Sequence, residues 1–93
     1  MWLLYQAAGI YPGESSRRHY GGVVQTRKGE TSIQALLRRE AEHKQNSVKA
    51  AQWLRDCCFI KLKLLQVFDD VKAAYRAELQ LVLKLYTVKT IKF

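Results

Sequence analysis

The sequence predicts a mostly α-helical protein, and three observations carry that reading. All five glycines and the single proline fall within the first 29 of 93 residues. From Ser47 to Tyr86 no helix breaker appears. Across that same segment, apolar residues recur at three-and-four spacing, the period of a helix face. The expected architecture is two or three helices forming a small bundle or a long helical hairpin. An extended or short β N-terminal arm precedes them, and a short C-terminal strand is allowed for. The composition shift divides the chain into residues 1–30, a Gly/Pro-containing arm or short strands, and residues 31–93, a helical domain.

The elements follow in order. Trp2 to Tyr11 and Tyr20 to Thr26 are short apolar or β-branched runs bounded by turn residues, which suits strands or an extended arm. Between them Pro12-Gly13-Glu14-Ser15-Ser16 reads as a turn and loop. Thr31 or Ser32 can cap a helix from about Ser32 to Gln45, whose apolar positions are Ile33, Leu36, Leu37 and Ala41. Ser47 would cap the next helix after a break at Gln45-Asn46. The remaining segment is either one long helix or a helix that bends at Asp69-Asp70, where either Asp can cap a third helix. In Thr87 to Phe93 the β-branched Val88, Thr90 and Ile91 leave room for a final strand.

Composition narrows the function classes. A chain of 10.8 kDa allows one domain with a modest core, which excludes a large multi-domain enzyme. Charged residues interrupt every apolar stretch well short of a bilayer span, so a membrane partner is not expected. The only cysteines, Cys57 and Cys58, are adjacent, so a disulfide scaffold is excluded and an intracellular, reducing compartment is favoured. The apolar start followed by Arg17-Arg18 has some character of an organelle leader, so a mitochondrial destination stays open, although Glu14 counts against it.

No catalytic motif stands out. His19 and His43 have no recognisable nucleophile nearby in sequence, and both read as surface histidines. Neither Cys-x-x-Cys nor His-x-x-x-His spacing exists, so no metal site and no cofactor are expected. The chain therefore reads as non-enzymatic.

The strongest global signal is the net charge of +8, from sixteen Lys and Arg against eight Asp and Glu. It points to an anionic partner. Arg17, Arg18, Arg27, Lys28, Arg38 and Arg39 gather in the first half and form the expected nucleic-acid-binding set. They would contact backbone phosphates, with RNA favoured over DNA because Tyr5, Tyr11 and Tyr20 could stack on unpaired bases. The leading expectation is a small basic module that binds nucleic acid, as a ribonucleoprotein subunit or a duplex binder. The alternative is an accessory subunit or adaptor that docks its apolar helix into a larger assembly through Trp53, Phe59, Phe68 and Tyr75, and a homodimer is also allowed for.

Overall fold

The structure is a computed structural model describing residues 1–15, 17–45 and 59–91, with side-chain environments for those up to 85 apart from Phe59 and Ile60. Five elements follow one another: β1 (Trp2–Ile10), β2 (Arg17–Gln25), α1 (Ser32–Gln45), β3 (Phe59–Phe68) and α2 (Val71–Ile91). The strands form one antiparallel sheet in the order β2-β1-β3. β1 takes the centre because its sequence, WLLYQAAGI, carries no charge and offers apolar side chains to both faces. The β1–β2 connection turns at Pro12-Gly13, where the Glu14 amide donates to the Tyr11 carbonyl. Gly13 adopts φ +86°, the left-handed geometry that glycine accepts without strain.

Strand alternation sorts the sheet into two unlike faces. On one lie Leu3, Tyr5 and Ala7, all fully buried, with Val24 and Tyr20 of β2 and Leu62 and Leu64 of β3. Helix α1 covers this face through Ala35 and Leu36. Its start is fixed by a reciprocal cap: the Gln34 amide donates to Thr31 Oγ1, and the Thr31 amide donates to Gln34 Oε1. The fully buried Ala35 lets the helix backbone approach the sheet closely.

Helix α2 meets the opposite face. Its first turn is capped by Asp70, whose carboxylate accepts from the Lys72 and Ala73 amides. From there it passes Trp2, whose ring lies 6.0 Å from that of Tyr75, and reaches Gly21 on β2 through Leu81. Ala74 is fully buried in this interface.

Several sequence expectations are corrected by these elements. The fold is α+β rather than mostly α. The stretch Phe59–Phe68, expected within a continuous helical segment, is the edge strand β3. Of the two alternatives for the N-terminal runs, the structure has the strands, which are full members of the sheet, and not the extended arm. The expected final strand from Thr87 is instead the end of α2, which continues to Ile91. Asp69-Asp70 does separate two elements, but a strand, not a helix, precedes it. The expected helix cap at Ser47 lies outside the described residues, as do Trp53, Cys57 and Cys58. No helix among the described residues is long and apolar enough to cross a membrane.

Candidate functional site

Helix α1 presents an unexpected face to the sheet. Ile33 and Leu37, read from sequence as core positions, are 72% and 59% exposed, whereas His43, read as a surface histidine, is only 2% exposed. The inward stripe is Ala35, Arg39 and His43, spaced four apart. Placing an arginine and a histidine inward while leaving Ile and Leu outside sacrifices apolar burial. Such a departure from the local pattern marks a place where something other than apolar packing sets the arrangement.

What these side chains meet is the Tyr5 hydroxyl. Tyr5 Oη lies 2.7 Å from His43 Nε2, and Arg39 Nε donates to the same oxygen at 3.3 Å. The phenol oxygen accepts from Arg39, and its bond with His43 Nε2 runs in the direction set by the imidazole tautomer. Tyr20 completes the aromatic wall: its ring stands edge-on to His43 at 5.5 Å and 6.5 Å from Tyr5. Gly22 makes the arrangement feasible, because a Cβ there would sit 2.5 Å from Tyr5 Oη. Glu78 on α2 adds a carboxylate, which accepts from the Val23 backbone N–H on β2 and whose charge acts on both Arg39 and Tyr5. Three elements thus contribute to one cluster, with Tyr5 from β1, Tyr20 from β2, and Arg39 and His43 from α1, while Glu78 of α2 acts on it by charge alone.

Burial sets the protonation states. It pushes the Tyr5 phenol up to about 12, against the opposing hydrogen bond and charge of Arg39. It pulls His43 down to about 4, helped by the Arg39 charge, so the imidazole is neutral at physiological pH. It also raises Glu78, with the Val23 bond and Arg39 working against it. Tyr5 and His43 are closed off from solvent, so a substrate cannot touch them and the pair acts as a scaffold. What it holds is Arg39, whose side chain keeps 27% of its surface exposed. With Nε fixed on Tyr5 and Nη1 at the limit of reach of Glu42, 3.5 Å away, the guanidinium is a cation set in one orientation.

Arg39 faces an open depression of about 490 Å³, lined by residues 23–28 together with Arg38 and Arg39. Four of the six arginines and lysines read from sequence as phosphate contacts, Arg27, Lys28, Arg38 and Arg39, therefore share one surface. They differ in availability. Arg27 and Lys28 are exposed in the turn before α1. Arg38 is committed to structure: it bonds Glu30 and Glu42, each at 2.9 Å, and donates to the Gln25 carbonyl. Its guanidinium holds the Glu30 carboxyl down at about 2. Arg17 and Arg18 sit at the far end of β2, where Arg18 pairs with Glu14 and lies over the Tyr11 ring at 4.3 Å.

The tyrosines do not form the expected stacking platform. Tyr5 is fully buried, Tyr20 packs against the core, and the Tyr11 ring is covered by Arg18. Of the side chains read as protein anchors, Phe68 is half-buried at the end of β3 and Tyr75 is 52% exposed against Trp2. Phe59 opens β3, and its side chain lies outside the described environments.

Among the described residues no group of three or more His, Cys, Asp and Glu is poised to hold a metal ion. Sequence reasoning missed Tyr5, Tyr20 and His43 as a group, since they come from three separate elements. The available signal was the i, i+4 pair Arg39 and His43 on a helix. No protein-family model matches the chain, and neither curated proteins nor solved structures give a match.

Proposed function

We propose that this protein binds nucleic acid through the sugar-phosphate backbone, without catalysis, at the depression rimmed by Arg27, Lys28 and Arg39. The observation that carries the reading is Arg39, held by the buried Tyr5 hydroxyl with its guanidinium turned to the same depression as two exposed cations. A fixed guanidinium matches phosphate oxygens and loses little freedom on binding. Arg27 and Lys28 would neutralise neighbouring phosphates as mobile charges. Arg38 is left out of the contact set, because its hydrogen-bonding groups are already taken by Glu30, Glu42 and the Gln25 carbonyl.

The partner class follows from the surroundings. The chain carries +8, and the depression is open and shallow compared with an enclosed ligand pocket. A long polyanion fits this better than a small phosphate ester. The contacts would carry little sequence preference. With the tyrosines engaged in packing, the preference for RNA over DNA has lost its support, and duplex and single strand of either polymer are equal candidates.

The test is fluorescence anisotropy of the purified chain with labelled duplex and single strand, RNA and DNA, at several salt concentrations. Submicromolar binding at physiological salt, weakened at least about tenfold in R27E/K28E, is the expected result. Wild-type protein that binds no polymer at that salt would reject the nucleic-acid reading. Unchanged affinity in R27E/K28E would move the site elsewhere.

A second reading has one observation in its favour. Tyr75, Leu79 and Leu83, spaced four apart on α2, are each more than half exposed, and such a stripe suits docking to another protein or to a second copy of this chain. Molecular mass measured as a function of concentration, wild type against L79E, tests the second case. A wild-type dimer that L79E converts to monomer supports it, and a monomeric wild type rejects it.

A further inference from the structure

The sheet carries a second basic surface on the side away from Tyr5. Cross-strand pairing places His19 and Lys61 on either side of Ala8, and Gly21 and Lys63 on either side of Gln6. Arg17 pairs with Ile10 at the end of the same face. Arg17, His19, Lys61 and Lys63 are all exposed. Gln6 Nε2 lies 3.1 Å from His19 Nδ1, which ties the histidine to the sheet surface. Arg17 and Lys61 share a hollow of about 190 Å³ with Ala8, Gly9 and Ile10, the first two having side chains too small to fill it.

The charge pattern here differs from that on α1. None of the three described strands contains an aspartate or glutamate. Among the described residues no ion pair engages Arg17, Lys61 or Lys63, whereas Arg38 and Arg39 both pair with Glu42. Side chains two apart on a strand are about 7 Å apart, and β2 and β3 flank β1 at about 10 Å from each other. Cations gathered on one exposed face without acidic neighbours on its strands raise the local positive potential, which attracts a polyanion. Helix α2 meets this face at Trp2 and Gly21, and among the described residues the hollow at its Ala8 end is lined only by Ala8, Gly9, Ile10, Arg17 and Lys61.

We infer that the sheet face bearing Arg17, His19, Lys61 and Lys63 is a second nucleic-acid backbone site, on the opposite side of the sheet from Tyr5 and at the opposite end from Arg27 and Lys28. A molecule with two such faces grips a long polynucleotide at two separated stretches, or holds two strands at once. This inference rests on the nucleic-acid reading above, but on different residues. The contacts are to phosphates and carry no sequence preference.

The experiment is fluorescence anisotropy of the full chain with a DNA duplex of about 20 base pairs and its single strand at several salt concentrations. K61E/K63E is compared with K72E/K84E, which makes the same change in net charge on α2, where both lysines are also exposed. The expected result is at least about tenfold weaker binding by K61E/K63E, with a log-log salt slope shallower by about two, and less than about threefold weakening by K72E/K84E. R17E should weaken binding in the same direction. Equal weakening by both lysine pairs would mean that only overall charge matters and would overturn the site. So would unchanged binding in K61E/K63E, or capture of phosphatidylserine vesicles with no binding of duplex or strand. R27E/K28E separates the two proposals. If it binds as wild type does while K61E/K63E is impaired, the depression falls and the sheet face stands; the reverse pattern removes the sheet face alone.

Discussion

Tyr5 Oη and His43 Nε2 lie 2.7 Å apart although the residues are separated by 38 positions in the chain, one on the central strand and one near the end of the helix that covers it. The contact locks α1 in rotation about its axis and, through the same oxygen, orients Arg39. Y5F removes the hydroxyl while keeping the ring, leaving the buried His43 nitrogen and the Arg39 Nε–H without this partner. The expected cost is about 1 to 3 kcal/mol of stability, read from urea denaturation. Nucleic-acid affinity should fall by only about two- to fivefold, because the charge of Arg39 remains and only its preorganisation is lost. A Y5F protein as stable as wild type would deny the bond its structural part.

Acid should act on His43 first. Its pKa is depressed from 6.5 to about 4 by burial, so between those values the unfolded chain binds a proton that the folded chain refuses. Stability is therefore complete above about pH 6.5 and falls as pH drops toward 4, by about 2 to 3 kcal/mol. Glu30, held at about 2 by Arg38, keeps its contribution above 4.5 and loses it as pH falls toward 2. Denaturation midpoints measured from pH 7 to 4 should decline in wild type and decline less in H43Q.

The two adjacent glycines of β2 meet neighbours of different stiffness. A Cβ on Gly22 would strike Tyr5 Oη at 2.5 Å and Tyr20 Cε2 at 3.1 Å, whereas one on Gly21 would meet the end of the Leu81 side chain at 2.7 Å. Leu81 can rotate away, but the Tyr5 hydroxyl cannot move without breaking its bonds. G22A should cost about 3 kcal/mol, and G21A about 1 kcal/mol. Melting curves of the two variants, side by side, test the distinction, and equal losses would contradict it.

Arg38 and Arg39 are neighbours with different duties. R38A should lower the denaturation midpoint, because Glu30, Glu42 and the Gln25 carbonyl all lose the same partner, and should leave affinity within about twofold. R39A should weaken binding by about five- to tenfold, as expected for one charge-assisted phosphate contact. Similar losses of affinity in both variants would contradict the division.

Some of this was legible in the sequence. The limits of α1, Ser32 to Gln45, follow from its cap and its spacing, and the Pro-Gly turn after Tyr11 follows from local chemistry. Strand β3 was hidden because its alternation, Ile60-Lys61-Leu62-Lys63-Leu64, is broken by Leu65 and embedded in a long segment free of Gly and Pro. Lys, Leu and Gln are also good helix formers, so local propensity agreed with the wrong element. The cationic side chains of the depression were visible as a cluster of charge, but their division of labour was not. Whether an arginine is spent on Glu30 or held open by Tyr5 depends on residues brought together from different elements. The rotation of α1 that buries His43 instead of Leu37 likewise depends on what the helix meets on the sheet, which only the tertiary structure supplies.

Leu65 has a further effect on the molecule. The pairing passes from Leu4 with Gln66 to Tyr5 with Leu64, so Leu65 is an unmatched extra residue on β3. Were it matched in turn with Tyr5, every residue nearer the start of the strand would change parity. Lys61 and Lys63 would then point into the layer beneath α1, and Leu62 and Leu64 would face outward. One supernumerary leucine, set aside from the ladder, thus keeps the charged side of this edge apart from the oily one.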